Sequence, residues 1–345
     1  MKAAYFLGNH TIETRPLSLP DPGEGQVLLR VAACGVCGTD VHIFAGGKGS
    51  ANVTPPVVLG HEFSGFVEKL GPGVTGLKAG DLVSVDPNIY CGTCPPCRQG
   101  RKQLCHDMRA VGVTMDGGFA DRCLVPAAQC VAVPAGVDPE LAALAEPLAC
   151  CLHGIDRAAI RPGETVLILG GSTIGLMMLQ LARLSGAAKI VVSEPVASRR
   201  ELALALGADG AVDPMGEDLT ARTCQLLGGE GANVVIECVG GRSGAAAQAI
   251  DAVGRGGRIL LFGVPHPEAL LETGLYAIYQ KELTILGSFV NPDTHSRAVA
   301  LIASGRLELS RLITHRFPVE RLEEAIQTQA GADSIKVLVV PKEVS

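Results

Sequence analysis

The chain has 345 residues and a net charge of −6, and 47% of its residues are hydrophobic while only 3% are aromatic. This length and apolar content suffice for about two ordinary domains. Basic residues are scattered and no apolar run approaches the roughly 18 residues of a membrane span, which argues against nucleic acid or a membrane as a partner. The N-terminus lacks the features of a secretory signal, so we expect a cytoplasmic protein with reduced cysteines.

Short β-branched runs separated by Gly and Pro fill the first 150 residues, which predicts a β-rich domain. These runs cover residues 27–33, 57–70, 81–85 and 123–133. The segments CGVCGTDVH (34–42) and LGHEFSG (59–65) contain residue types that bind metals. Cys37, His61 and a carboxylate would give a zinc site with an open position, the kind typical of catalysis.

Other arrangements of these residues stay open. Cys34 and Cys37 have the C-x2-C spacing of one half of a four-cysteine structural zinc site, although no second cysteine pair remains to complete such a site. Glu146 lies in the apolar stretch AALAEPLACCLHG, where a buried charge needs a partner. A metal, a salt bridge or a helix-capping role would each satisfy it.

Four cysteines follow one another closely in a segment rich in Gly, Pro and polar residues. They are Cys91, Cys94, Cys97 and Cys105, with the pattern C-x2-C-x2-C-x7-C. Such a lobe, at about residues 88–107, has too few apolar residues for a core and needs a metal or disulfides to hold its shape. Because we expect reduced cysteines, the spacing predicts a closed structural zinc site rather than two disulfides or four unrelated thiols.

From residue 151 onward, strand and helix patterns alternate, which predicts a doubly wound parallel sheet. The predicted strands cover 165–169, 189–193, 211–213, 233–238, 258–263 and 283–289. The predicted helices cover 174–185, 198–206, 219–227 and 244–253. Two further helices, at 296–304 and 321–329, and a strand at 336–340 end the chain.

A glycine-rich turn lies between the first of these strands and its helix, where backbone N–H groups can hold a pyrophosphate. It consists of Gly170, Gly171, Ser172, Thr173, Ile174 and Gly175, with Ser172 in place of the usual middle glycine. Glu194 follows at about the expected 20 residues, where a carboxylate accepts hydrogen bonds from the adenosine ribose and repels a 2′-phosphate. We therefore predict NAD rather than NADP, with Arg199 beside the site; alternatively, Glu194 only starts an exposed turn.

The chain is similar over essentially its whole length to zinc-dependent medium-chain alcohol and polyol dehydrogenases. The similarity is carried, in the same order, by GVCGTDVH, GHEFSGFVEKLGPGV, the four-cysteine segment, AEPLACCLHG and the nucleotide turn. It implies a GroES-like β-barrel catalytic domain at 1–150 and 290–345 and a Rossmann NAD-binding domain at 151–289. It also implies two zinc ions per chain, one catalytic and one structural, and NAD as the cofactor.

The resemblance also implies roles for individual residues. Cys37, His61 and Glu146 would bind the catalytic zinc, with Glu62 as an exchanging ligand. Asp40 matches the carboxylate that orients the histidine ligand. Thr39 and His42 match the relay that carries the alcohol proton to solvent, although Thr39 would also suit a turn and His42 an exposed surface.

The predicted reaction is oxidation of a secondary alcohol of a small polyol or polyol phosphate to a ketone. Gly38 resembles the polyol and threonine dehydrogenases, and the Glu-Pro-Leu of 146–148 resembles the polyol group. However, Val290 and Asn291 replace the Arg–Tyr pair that contacts sorbitol. The alternatives are an L-threonine or 2,3-butanediol dehydrogenase, and a non-catalytic nucleotide-binding relative. Because relatives form dimers or tetramers, we expect a homo-oligomer, a tetramer by analogy.

Overall fold

The structure is a computed structural model that describes residues 1–47 and 52–342. It divides into two compact units, here called unit 1 and unit 2. Unit 1 comprises Met1–Ala149 and Asn291–Ser345, and unit 2 comprises Cys150–Val290. No helix within the described ranges is both long and apolar enough to cross a membrane.

Short strands dominate the first segment of unit 1. The strands are β1 (Lys2–Gly8), β2 (Thr11–Pro16), β3 (Gln26–Gly35), β4 (Val57–Val58), β5 (Glu62–Leu70), β6 (Leu82–Val85), β7 (Asn88–Ile89), β8 (Arg109–Ala110), β9 (Arg122–Pro126) and β10 (Cys130–Ala132). The helices are α1 (Gly38–Phe44), α2 (Pro95–Arg98), α3 (Pro139–Ala143) and α4 (Ala145–Ala158), the last of which continues into unit 2.

Strands and helices alternate in the remainder of the chain. The order is β11 (Thr165–Leu169), α5 (Thr173–Leu184), β12 (Lys189–Ser193), α6 (Ala197–Ala205), β13 (Gly210–Val212), α7 (Leu219–Leu227), β14 (Ala232–Glu237), α8 (Ala245–Ala252), β15 (Val253–Leu261), α9 (Leu275–Lys281) and β16 (Thr284–Gly287). The second segment of unit 1 contains α10 (His295–Ala303), β17 (Ile313–Phe317), α11 (Leu322–Ala330) and β18 (Lys336–Val339).

Unit 1 is organised around β3, an almost continuously apolar and mostly buried strand. Its main sheet has the order β10-β6-β5-β3-β18-β17, and β9 also pairs with β3. The large buried side chains of Leu29, Phe63 and Phe119 lie in the core of this unit. Because β18 comes from the end of the chain, the second segment of unit 1 completes the sheet that the first begins.

Unit 2 contains a six-stranded parallel sheet with the order β13-β12-β11-β14-β15-β16. Its central strand β11 is buried from Val166 to Leu169, as a strand covered on both faces should be. This confirms the predicted doubly wound sheet. The strand order reverses between β11 and β14, and ligands of such sheets bind at the carboxyl ends of the strands where this reversal occurs.

Two predictions for unit 1 were wrong: segments predicted as single strands each form two separate strands. Residues 57–70 form β4 and β5, which belong to different sheets, because Gly60 adopts a left-handed conformation (φ 96°) between them. Residues 123–133 form β9 and β10, separated by a 3-10 turn at Ala127–Gln129. Neither break changes the hydrophobic pattern, so periodicity alone did not reveal it.

Candidate active site

Cys37 lies at the junction between β3 and α1. It precedes the helix in an extended conformation (φ −100°, ψ 157°), and its backbone N–H donates to Asp40 Oδ2 at 2.9 Å. A carboxylate at the third helical position satisfies an otherwise free N–H group at the start of the helix. The sequence around Cys37 thus fixes its backbone at the start of the helix.

His61 and Glu62 meet Cys37 because β5 pairs with the end of β3, where Glu62 lies opposite Gly35. Cys37, His61 and Glu62 each present one ligand atom, and these atoms lie within 4.8 Å of one another. His61 and Glu62 are buried, at 7% and 1% exposure. A thiolate, an imidazole and a carboxylate at this separation form a donor set that fits zinc.

The buried Asp40 carboxylate faces the His61 ring, with Oδ1 3.7 Å from Nδ1. Neither atom has a hydrogen-bond partner within the described structure. Burial raises the pKa of Asp40 to about 6, against the opposing effect of His61. Burial lowers the pKa of His61, but the charges of Asp40 and Cys37 outweigh it, so the pKa lies well above the ordinary value. A carboxylate beside the second ring nitrogen is the usual support of a metal-binding histidine.

Glu146 lies in the first turn of α4 and is 6% exposed. It is not among the three residues whose ligand atoms lie within 4.8 Å of one another. Its charge nevertheless contributes to raising the pKa of both His61 and Lys336, so it lies near the group. The structure therefore brings Cys37, His61 and Glu62 together and leaves Glu146 beside them.

Lys336 is a buried member of this site that the sequence patterns did not single out. Its Nζ donates to Glu62 Oε2 at 2.6 Å and to the Val36 carbonyl at 3.0 Å. Burial lowers the pKa of Lys336, but the charges of Glu62 and Cys37 raise it above its ordinary value. The sequence did contain one indication of a buried charge here, because Lys336 begins the otherwise apolar strand KVLV.

Thr39 and His42 both lie on α1, three positions apart, which places them on the same side of the helix. Thr39 is half-buried and His42 is exposed. Exposure thus increases along α1 from Thr39 to His42.

The four cysteines of the lobe place their sulfur atoms within 4.8 Å of one another. The Cys94 and Cys105 sulfurs are 3.9 Å apart, close to the edge of about 3.8 Å expected for thiolates around a tetrahedral zinc. Backbone N–H groups point at the sulfurs, and that of Cys94 lowers the pKa of the Cys91 thiol. The cluster fits a structural zinc, and all twelve cysteines of the chain are free of disulfides.

The glycine-rich turn of unit 2 joins β11 to α5 at the carboxyl end of β11. Gly170 adopts a left-handed conformation (φ 98°), and Ser172 precedes the helix in an extended one. Thr173 and Ile174 form the first turn of α5, buried and half-buried respectively. A β-carbon at Gly175 would lie 1.8 Å from the Gly170 carbonyl oxygen, so only glycine fits where the turn packs against its helix.

Glu194 directly follows β12 and is 4% exposed, so it does not start an exposed turn. Its carboxylate accepts from the Gly171 N–H at 2.7 Å and from the Val196 N–H at 3.0 Å. Arg199 lies 3.9 Å from the same carboxylate, whereas Arg200 donates to the Glu194 carbonyl. Glu194 is thus fixed beside the glycine-rich turn.

Two family models match this chain in complementary parts. The "Alcohol dehydrogenase GroES-like domain" matches residues 23–135, and "Zinc-binding dehydrogenase" matches residues 173–304. L-threonine 3-dehydrogenase of Pyrococcus horikoshii is 36% identical, covering 99% of this chain and 98% of that protein. The chain belongs to the zinc-dependent medium-chain dehydrogenases. Sorbitol dehydrogenase of Halalkalibacterium halodurans is 33% identical, with 99% and 98% covered.

Solved structures of medium-chain dehydrogenases have the same architecture. A zinc-binding dehydrogenase from Sinorhizobium meliloti, bound to NADP, superposes with a TM-score of 0.93 at 41% identity over 99% of both chains. Galactitol-1-phosphate dehydrogenase from Escherichia coli gives 0.90 at 28% identity, with 99% of this chain and 100% of that chain covered. The predicted GroES-like and Rossmann architecture and the zinc and nicotinamide cofactors are confirmed. The protein is an NAD(P)-dependent alcohol oxidoreductase.

Proposed function

We propose that this dehydrogenase oxidises a secondary alcohol of a small polyol or polyol phosphate to a ketone, with NAD as hydride acceptor. The observation that carries the reaction type is the buried group of Cys37, His61 and Glu62, whose ligand atoms lie within 4.8 Å of one another. When bound, zinc supplies a Lewis acid that lowers the pKa of an alcohol hydroxyl, and NAD takes up the hydride.

The residues around this group have separate tasks. Cys37 and His61 hold the metal together with Glu146 or Glu62, and Asp40 orients the His61 ring. Thr39 accepts the proton of the substrate hydroxyl and His42 passes it outward, in keeping with their half-buried and exposed positions on α1.

The glycine-rich turn holds the cofactor in unit 2. Within the turn, Gly170 to Gly175, the backbone N–H groups at the start of α5 bind the pyrophosphate, whereas the N–H groups of Gly170 and Gly171 donate to the Ser193 carbonyl and the Glu194 carboxylate. Glu194 accepts hydrogen bonds from the adenosine ribose and disfavours a 2′-phosphate through its charge. Arg199 lies 3.9 Å from the carboxylate, and an arginine at this place can also pair with a 2′-phosphate, so the proposed preference for NAD rests on the charge of Glu194.

The environment of Asn291 bears on the choice among polyols. Asn291 is fully buried, and its side chain bonds to Asn88 at 2.5 Å and to Asp86 at 3.3 Å. A side chain committed in this way does not contact a substrate, which supports a polyol other than sorbitol. Galactitol-1-phosphate dehydrogenase among the similar structures supports including phosphorylated polyols.

L-threonine is the second candidate substrate. The threonine and sugar-alcohol or sugar-acid dehydrogenases have similar identities to this chain, for example 36% for the Pyrococcus horikoshii enzyme and 34% for L-galactonate-5-dehydrogenase of Escherichia coli. Overall identity therefore does not separate the two substrate classes.

A screen of NAD-linked oxidation tests the proposal. The substrates are polyols, polyol phosphates, L-threonine and 2,3-butanediol, and Cys37→Ser is the inactive control. We expect turnover on a polyol or polyol phosphate, and activity on L-threonine alone would contradict the proposed substrate class.

Metal analysis is a second test and should give two zinc ions per chain. A single ion, retained by the cysteine lobe, would favour a non-catalytic nucleotide-binding relative.

We also propose that the protein is a homo-oligomer, a tetramer or a dimer. Strand β16 lies at the edge of the six-stranded sheet, and exposed apolar side chains lie on the adjacent helix α9, among them Leu275, Tyr276 and Tyr279. Exposed apolar groups beside an open sheet edge favour association. Light scattering at micromolar concentration would give the mass, and a monomer would contradict this assignment.

A further inference from the structure

Lys336 and Glu62 form an ion pair that is buried almost completely. Their side chains are 4% and 2% exposed, and Nζ lies 2.6 Å from Oε2. Removing one partner of a buried pair leaves an uncompensated charge, which is strongly unfavourable. The Glu62 carboxylate therefore always needs a cation within reach.

The pair is formed across the end of β3. Glu62 begins β5 and Lys336 begins β18, and both strands pair with β3 at Gly35, which lies opposite Glu62 and Leu338. A β-carbon at Gly35 would lie 2.2 Å from Glu62 Oε2. Only glycine at this position leaves room for the conformation in which Glu62 contacts Lys336.

Glu62 consequently has two possible cationic partners. One of its ligand atoms lies within 4.8 Å of the ligand atoms of Cys37 and His61, where the metal would be held. Its Oε2 atom contacts Lys336. The ammonium group of Lys336 has no lone pair, so it cannot itself bind the metal. The carboxylate thus lies between a fixed cation of the protein and the metal position.

We propose that Lys336 is a positioning residue that competes with the catalytic metal for the Glu62 carboxylate, and thereby keeps one coordination position open for the substrate hydroxyl. The inference rests on the proposed function, in the alternative in which Cys37, His61 and Glu146 hold the metal and Glu62 does not bind it at rest. Loss of the Lys336 charge shifts the carboxylate onto the metal, which closes the open position and slows metal release.

Zinc release from the Lys336→Met holoenzyme to a chelator, followed with a zinc indicator, tests this competition. Methionine has a similar length and no charge. We expect one zinc per chain to leave on the order of tenfold more slowly than in the wild type, with the structural zinc unchanged. The absorption spectrum of the cobalt-substituted variant should also change, because a carboxylate oxygen joins the metal. Lys336→Arg keeps the charge and should release zinc at the wild-type rate.

The double variant Lys336→Met/Glu62→Gln is the matched control, and it should release zinc at the rate of Glu62→Gln. Release from Lys336→Met at the wild-type rate or faster would overturn the proposal. The proposal would also be overturned if Lys336→Met changed the rate of zinc release equally in the wild-type and Glu62→Gln backgrounds, because that result would indicate an effect of packing alone. A wild-type protein with a single zinc per chain would instead overturn the proposed function.

Glu62→Gln with Lys336 intact gives a second test that does not depend on the folding of Lys336→Met. Because Lys336 keeps the carboxylate off the metal, the cobalt spectrum of this variant should equal that of the wild type. A changed spectrum would show that Glu62 is already a metal ligand at rest, contrary to the proposal.

Discussion

At the scale of single residues, the buried charges determine what unit 1 and unit 2 can bind. Glu62 is held by Lys336, Asp40 faces His61, and Glu194 is fixed by two backbone N–H groups. A buried carboxylate with a defined partner has a defined position, which a ligand-binding group requires.

Glu194→Gln tests the assignment of NAD as preferred cofactor. The amide keeps the shape and an acceptor oxygen but removes the charge that repels a 2′-phosphate. We expect the ratio of kcat/KM for NAD to that for NADP to fall by about tenfold, equivalent to about 1.4 kcal/mol. Steady-state kinetics with both cofactors measures this ratio. The control is Glu201→Gln, a substitution of an exposed glutamate on α6. An unchanged ratio would mean that Glu194 does not set the preference.

At the scale of elements, turns and short helices place the functional groups. The extended conformation before α1 positions Cys37, and the left-handed Gly170 and the small Gly175 shape the nucleotide turn. The cysteine lobe consists of the four-residue helix α2 and a 3-10 turn, with no buried residue in either. Its stability therefore depends on what its sulfurs bind.

Gly175→Ala should distort the nucleotide turn, because the added methyl group would overlap the Gly170 carbonyl. We expect a loss of about 1–3 kcal/mol in the free energy of unfolding and weaker NADH binding. Urea unfolding and NADH fluorescence titration measure the two effects. Gly229→Ala, where a β-carbon meets nothing within 4 Å, is the matched control in the same unit. Equal effects of the two substitutions would contradict the close packing of the turn.

Cys94→Ser should remove one ligand from the cysteine lobe and lower stability without changing the chemistry. We expect the variant to bind one zinc per chain, to melt several degrees lower, and to keep kcat within about threefold of the wild type while folded. Metal analysis and thermal unfolding check this, with Cys130→Ser as the control outside the lobe. A variant that retained two zinc ions and the wild-type melting temperature would exclude a structural zinc at this cluster.

At the scale of the whole molecule, unit 1 is assembled from two distant segments of the chain. His295 on α10 bonds to Ser84 on β6 at 2.9 Å, and the Thr294 hydroxyl donates to the Ala149 carbonyl at 2.7 Å. Contacts of this kind connect the second segment to the first, so their loss affects the unfolding of the whole unit.

The buried His295 should make the protein less stable in mild acid. Burial lowers its pKa to about 4 from the ordinary value of 6.5. Because the unfolded chain binds this proton more readily, the contribution of His295 is complete above pH 6.5 and is lost as the pH falls toward 4, by about 3 kcal/mol in all. Urea unfolding should show that the free energy of unfolding decreases less between pH 7 and pH 5 for His295→Gln than for the wild type. The same loss in both proteins would contradict this assignment.

The amino-acid sequence by itself determined the parts of this protein that depend on local pattern. The alternation of strands and helices after residue 151, the glycine-rich turn and the four-cysteine spacing each follow from periodicity or from close spacing along the chain. Only the tertiary structure decided which distant groups meet. Lys336 reaches Glu62 across 274 positions because β18 and β5 pair with the same strand at a glycine, and the buried Asn291 bonds to Asn88 and Asp86, about 200 positions away. Strand pairing and burial between remote segments leave no regular mark in a single sequence, because they depend on the packing of the whole unit.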